Sequence, residues 1–265
     1  MQILRFRQPV TVFNQSRWEK EQCWTIAPIN CHSYCVTQQR LNWPEPAAIM
    51  HFKNRTEAGR QLAALLTKYF PAQDLLVLAL PRGGVPVACE VARTLHAPLD
   101  VFLVRKLGVP GQEELALGAI ASGGVRFLNS EVIEQLNIST EAIEKTVARE
   151  KEELERRERA YRDRHSAPDP RGRQVILVDD GLATGSSMRA AVAALRQRQP
   201  ARIIVAVPVA ARSTADEFKL EVDDFVCVHT PVNFYAVGQW YQDFAQTTDE
   251  EVRQLLRRAA QERST

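Results

Sequence analysis

No apolar run in the 265-residue chain approaches the ~18 residues that a membrane-spanning helix needs. Charge of one sign is missing too. The 34 Lys and Arg nearly balance the 32 Asp and Glu, leaving a formal net charge of +2, so nothing demands a nucleic acid or a membrane surface as partner. With only 12 Gly and 5 Cys, collagen-like and disulfide-rich classes are excluded. The first residues lack the apolar core of roughly 7–15 residues and the small-residue cleavage site of a secretory signal. The cysteines therefore read as reduced thiols of a cytoplasmic protein. There is no internal repeat, no GxxxxGK phosphate loop and no GxGxxG dinucleotide turn. What remains, at 45% hydrophobic and 25% charged residues, is a soluble globular composition of about one or two domains.

The composition is uneven. Residues 1–49 hold Trp18, Trp24 and Trp43 and also Cys23, Cys31 and Cys35, with neither a helical period nor strand alternation. They are expected to form a poorly ordered N-terminal extension, with Met50 as an alternative start. A metal site at Cys23, Cys31, His32 and Cys35 would show a single CxxxC with no second pair, which is unlike a zinc site. The segment has no helix-turn-helix pattern.

From residue 50 the texture changes to alternating elements. Asn54 or Thr56 caps a helix to about Tyr69, with Ala58, Leu62, Leu65 and Leu66 on one face. Leu75–Leu80 is a continuous apolar run of strand length, followed by Pro-Arg-Gly-Gly, a helix over 85–96 and a second buried strand over 99–104. Residues 105–128 read as a loop, with a short strand at 115–121 inside a hairpin. Residues 139–165 read as a charged helix with many i,i+4 pairs and a narrow stripe of Ile143, Val147, Leu154 and Tyr161. Its acids cancel its bases, which disfavours a nucleic-acid helix. Strands over 174–180, 201–210 and 223–231 alternate with helices over 188–198 and 213–219. A last helix opens on the capping box Thr248/Glu251. Strands alternating with helices predict an α/β fold: a parallel sheet flanked by helices on both faces, with a small hood and the long charged helix.

The most specific motif is Val175-Ile-Leu-Val-Asp179-Asp180-Gly-Leu-Ala183-Thr184-Gly185-Ser186-Ser187. A hydrophobic strand delivers two adjacent carboxylates to its C-terminal end, and a short turn then opens a helix. That helix start offers free N–H groups and a positive dipole end, suited to a phosphate monoester. Two carboxylates would repel the phosphate unless they face vicinal hydroxyls, with Mg²⁺ nearby. The pattern therefore fits a ribose 5-phosphate moiety. Read as structure only, it is an Asp-Asp-Gly turn before an N-capped helix. The second element, Leu80-Pro81-Arg82-Gly83-Gly84, is another anion-competent helix start after a buried strand.

The stretch 175–187 resembles the PRPP-binding motif of type I phosphoribosyltransferases, and the likeness extends over roughly residues 52–248. The resemblance makes 50–265 a phosphoribosyltransferase-like domain. It implies that Asp179 and Asp180 hold the ribose hydroxyls and that Ala183, Thr184, Gly185, Ser186 and Ser187 cradle the 5-phosphate. It further implies that Arg82, Gly83 and Gly84 form the pyrophosphate loop. A flexible loop from Arg105 and Lys106 through Gly124 would close over PRPP, with Glu113 or Glu114 near substrate or Mg²⁺. Arg105 and Lys106 join the acid pair as catalytic candidates. Phe234, Tyr235 and Trp240 are either an aromatic hood over a planar acceptor or plain C-terminal packing. Ala183 stands where 6-oxopurine members carry an acid, which argues against hypoxanthine or guanine.

The expected chemistry is Mg²⁺-dependent transfer of the phosphoribosyl group of PRPP to a nitrogenous acceptor with release of pyrophosphate. The Mg²⁺ would be held mainly by substrate rather than by a protein cage. The expected partners are PRPP and a small-molecule acceptor, with no nucleic acid and no membrane, and a homodimer is left open. The rival reading is a PRPP-binding regulatory protein without turnover.

Overall fold

Asn54 sets the first described helix by accepting a hydrogen bond from the Glu57 amide at 3.0 Å. In the computed structural model, residues 51–69, 74–162 and 167–262 are described, except the side chains of Glu113 and Glu114. The expectation for residues 1–49 lies outside them. Helix α1 runs Arg55–Leu66, followed by a 3₁₀ turn, and strand β1 runs Leu75–Ala79. Helix α2 is Gly84–Leu95 and strand β2 is Leu99–Val101. After the excursion described below come β6 (Gln174–Val178), α5 (Ser186–Arg196), β7 (Arg202–Val209), α6 (Arg212–Glu221), β8 (Asp224–His229) and α7 (Asp249–Glu262).

Strands β1, β2, β6, β7 and β8 form one parallel sheet in the order β2-β1-β6-β7-β8. Its central strands β1, β6 and β7 are apolar apart from their first residues Gln174 and Arg202, because helices cover both faces. Leu75, Val77 and Ala79 pack with Leu62 and Leu66 of α1 and Val87 and Val91 of α2. The alternate residues Leu76, Leu78 and Leu80 pack with Met188, Val192 and Leu195 of α5. Each such fully buried aliphatic side chain stabilises the fold by about 1.5–3 kcal/mol. Chain order reverses between β1 and β6, which creates a crevice at their C-terminal ends, where ligands of open parallel sheets bind.

Residues 105–128 differ from the loop expected. They belong to an antiparallel sheet of β3 (Val104–Val109), β4 (Gln112–Ala121) and β5 (Val125–Leu128). The register breaks at Leu107/Gly108 and Gly108/Val109, and this bulge hides the strand period in the sequence. The strand expected over 99–104 divides between the two sheets. The Phe102 amide donates to the Ala79 carbonyl at 2.9 Å, and the Leu103 amide donates to Ser122 Oγ at 3.0 Å.

A short helix α3 (Ser130–Gln135) leads to α4 (Thr140–Arg162), the charged helix. Ile143 and Val147 cover the small sheet together with Leu107, Leu117 and Ile120, whereas Leu154 and Tyr161 reach the main core. Its last turn is pinned to β2. Arg162 donates to Asp100 at 2.8 Å and to the Val101 carbonyl at 2.6 Å, and both members of the ion pair are nearly buried. Among its i,i+4 pairs, Glu153–Arg157, Glu155–Arg159 and Glu158–Arg162 form, while Arg156 turns to Glu153 rather than Glu152.

Candidate active site

Two turns meet in the crevice. Leaving β1, the Leu80 amide donates to the Val178 carbonyl of β6 at 2.8 Å, and the Gly84 amide donates back to Leu80 at 3.1 Å, which opens α2. Leaving β6, Asp179 and Asp180 arrive beside that turn. The approach is so close that a Cβ on Gly83 would lie 2.0 Å from Asp180 Oδ2. Arg82, Gly83 and Gly84 are thus brought against the acid pair, with Arg82 exposed and 3.9 Å from Asp249 at the start of α7.

Asp179 Oδ1 accepts from the Asp180 amide at 2.8 Å. Asp180 Oδ2 accepts from Arg55 Nε at 2.8 Å, and the Asp180 carbonyl accepts from the Tyr241 hydroxyl at 2.6 Å. Burial pushes Asp179 well above the ordinary carboxylate range, and the Asp180 charge beside it adds to the rise. Burial also raises Asp180, while Arg55 works against the rise. A pair held this way gains from any ligand that brings hydroxyl donors or positive charge.

Downstream, Gly185 starts α5 at φ 71°, and a Cβ there would fall 2.5 Å from the Phe218 ring, so only glycine serves. Thr214 Oγ1 donates to the Ala183 carbonyl at 2.6 Å, and Arg189 donates to the Thr184 carbonyl at 2.8 Å. The loop is fixed from behind while Ala183, Thr184, Ser186 and Ser187 face solvent. Thr184 Oγ1 and Ser186 Oγ lie 3.1 Å apart, presenting hydroxyls at a helix start.

Beside the acid pair lies a cleft of about 130 Å³, lined by Leu80, Phe102, Arg105, Arg157, Asp179 and Ser187 among others. Arg105 opens onto it while bonding Glu150 of α4 at 2.5 and 2.8 Å. Lys106 is not among its lining residues: adjacent strand positions point to opposite faces, so the pleat of β3 separates it from Arg105. The side chains of Glu113 and Glu114 lie outside the described residues.

The segments expected to supply a hood, residues 51–55 and 234–245, pair with each other. The Phe52 amide donates to the Trp240 carbonyl and the Gln242 amide to the Phe52 carbonyl, both at 2.8 Å. The three hood aromatics divide. Trp240 is buried in a cluster with Phe52, Val209 and Tyr241, as packing requires, and Phe234 stacks on it at 6.4 Å. Tyr235, 86% exposed, projects into solvent.

Sequence reasoning missed Arg55 and Phe244. The Arg55 guanidinium lies 3.9 Å over Phe244 and donates to the Ala245 carbonyl at 2.7 Å, tying the hood to Asp180. Among the described residues, no cluster of three or more His, Cys, Asp or Glu could form a metal cage. Among them, no helix is long and apolar enough to cross a membrane.

A phosphoribosyl transferase domain family matches residues 110–237. Two Mycobacterium tuberculosis proteins provisionally named phosphoribosyl transferases are each 44% identical over 208 residues. The match covers 78% of this chain and 47% of theirs, so the chain spans about half the length of these curated relatives. The crystal structure of TT1426 from Thermus thermophilus superposes with a TM-score of 0.71 at 42% identity, covering 78% of this chain and 98% of that one.

Proposed function

Because the chain belongs to the phosphoribosyl transferase family, we propose that it is a cytoplasmic enzyme that transfers the phosphoribosyl group of PRPP to a small nitrogenous acceptor and releases pyrophosphate. The observation that supports this most is the meeting of two anion-competent helix starts, at Gly84 and Ser186, around one pair of carboxylates.

In this reading Asp179 and Asp180 accept hydrogen bonds from the ribose hydroxyls. The loop from Ala183 to Ser187 holds the 5-phosphate. Arg82 and the Gly83 and Gly84 amides hold the pyrophosphate. The C1–O bond breaks with its electron pair leaving on pyrophosphate, the acceptor nitrogen forms the C1–N bond, and its proton passes to water. The protein's part is positioning and charge neutralisation. The donor set fits a cation shared with substrate. Asp179 is a hard oxygen ligand whose raised pKa makes nearby positive charge favourable, and Asp180 is already engaged by Arg55. Magnesium bound there would neutralise charge on the leaving group.

The test is Mg²⁺-dependent pyrophosphate release from PRPP across a panel of nitrogenous bases. Release that depends on one base class supports transfer. PRPP binding with no release under any base favours the regulatory reading. Failure to bind PRPP removes both.

A further inference from the structure

The inward stripe of α4 runs 143, 147, 150, 154, 157, 161, alternating steps of four and three residues as one helix face requires. Four of these positions are Ile143, Val147, Leu154 and Tyr161, and all are buried. The other two are Glu150 and Arg157, charged residues on a face that otherwise packs. Glu150 is 7% exposed and holds Arg105. Arg157 lines the same cleft as Arg105, Asp179 and Ser187.

We propose that Arg157 is a pyrophosphate-binding residue, delivered to the PRPP site by the charged helix and exchanging Glu153 for the leaving group when substrate binds. This rests on the PRPP reading above and adds a residue from an element outside both phosphate loops. Three observations carry it. The helix is held in position around Arg157: Leu154 is 1% exposed, Tyr161 donates to Asp249 at 2.6 Å, and Arg162 is locked to Asp100. In the present state Arg157 Nε donates to Glu153 at 2.7 Å, and Arg156 shares the same carboxylate, so Glu153 stays neutralised if Arg157 leaves. Asp249 Oδ1 meets the Tyr161 hydroxyl at 2.6 Å and Arg82 at 3.9 Å, which brings the loop arginine to the helix one turn from Arg157. Arg157 keeps 39% of its side chain exposed, so turning from Glu153 to a ligand costs little desolvation. A guanidinium fork suits a diphosphate better than a point charge does.

The experiment is calorimetric titration of the full chain with Mg²⁺–pyrophosphate and, separately, ribose 5-phosphate. Arg157→Ala should weaken pyrophosphate about tenfold and leave ribose 5-phosphate within about twofold. Arg157→Lys should recover part of the loss. Arg159→Ala, on the solvent side of the same helix and paired with Glu155 instead, should change neither. Glu153→Gln frees Arg157 without removing it and should tighten pyrophosphate. Unchanged pyrophosphate binding in a folded Arg157→Ala protein, with the wild type binding both ligands, overturns this inference and leaves the PRPP reading intact. So does an equal loss in Arg159→Ala, which would mark a general charge effect. A wild type that binds neither ligand overturns both.

Discussion

Arg55 Nε donates to Asp180 Oδ2 at 2.8 Å across 125 residues of sequence, with the two side chains only 11% and 15% exposed. Through this bond the first helix, the hood and the acid pair become one unit. The same guanidinium is capped by Phe244 and bonded to the Ala245 carbonyl, so movement of the hood reaches a candidate ribose ligand through a single side chain.

Arg55→Gln should destabilise the protein at neutral pH. Breaking a buried pair from one side costs about 3–5 kcal/mol because the partner charge is left uncompensated. Arg55 holds the Asp180 pKa down against burial, so its loss raises that pKa further. A carboxyl raised above its unfolded value is stabilising when protonated, and that stability is lost as pH rises through the folded pKa. The deficit of the variant should therefore shrink as pH falls from neutral toward 5. Urea denaturation at several pH values checks this. A deficit independent of pH would mean that Arg55 acts through packing on Phe244 alone.

The acid pair itself should bear on both stability and binding. Both folded pKa values are raised, so the wild type should lose stability as pH climbs above the ordinary carboxylate value of about 3.9. Asp179→Asn with Asp180→Asn removes that slope, but it also leaves the Arg55 charge without its counter-ion, so the variant should fold and be less stable than wild type near neutrality. PRPP affinity should fall by about two orders of magnitude, from two weakened charge-assisted bonds. Thermal melts against pH and titration with Mg²⁺–PRPP separate the effects. Full affinity in the folded double variant would remove the ribose role.

Arg82→Ala should weaken pyrophosphate and PRPP roughly ten- to a hundredfold while sparing ribose 5-phosphate, because one charge-assisted bond is lost on the pyrophosphate side only. Its ion pair with Asp249, 3.9 Å away on the surface, contributes little to stability. A parallel loss for both ligands would identify Arg82 as a structural residue.

The parallel sheet was legible because its strands are buried on both faces and read as unbroken apolar runs such as Leu75–Leu80. The acid pair and the two helix starts were legible because turn, strand end and helix start are contiguous in sequence. The small sheet was not, since the bulge at Leu107–Gly108 breaks the alternation that marks a strand. Arg55 sits in a capped first turn and looks like any solvated helix residue; only its distant partner distinguishes it. Arg157 was masked by the surplus of i,i+4 partners around it, which made a whole charged segment look like a solvated face. Trp240 carried no signal to separate a platform from a packed ring, and only the fold shows it 5% exposed against Phe52 and Tyr241.

Gly83→Ala probes the contact on which the candidate site depends. A methyl group there would lie 2.0 Å from Asp180 Oδ2 and 2.6 Å from Asp180 Cγ, so a carboxylate held by Arg55 must move or the turn after β1 must open. The backbone of Gly83 is αR, so alanine meets no dihedral penalty and the whole effect arises from the clash. Overpacking of this kind costs about 1–3 kcal/mol, and the fold should survive. Binding should suffer more than stability, because the displaced group is the proposed ribose ligand and the displaced turn carries the proposed pyrophosphate amides. The expected result is a folded protein with a modest loss in denaturation midpoint, and with affinity for both ribose 5-phosphate and pyrophosphate reduced about tenfold or more. That joint loss distinguishes it from Arg82→Ala, which should affect pyrophosphate alone. If Gly83→Ala binds both ligands normally, the two turns do not act together on one substrate, and the acid pair and the glycine turn would have to serve separate ligands.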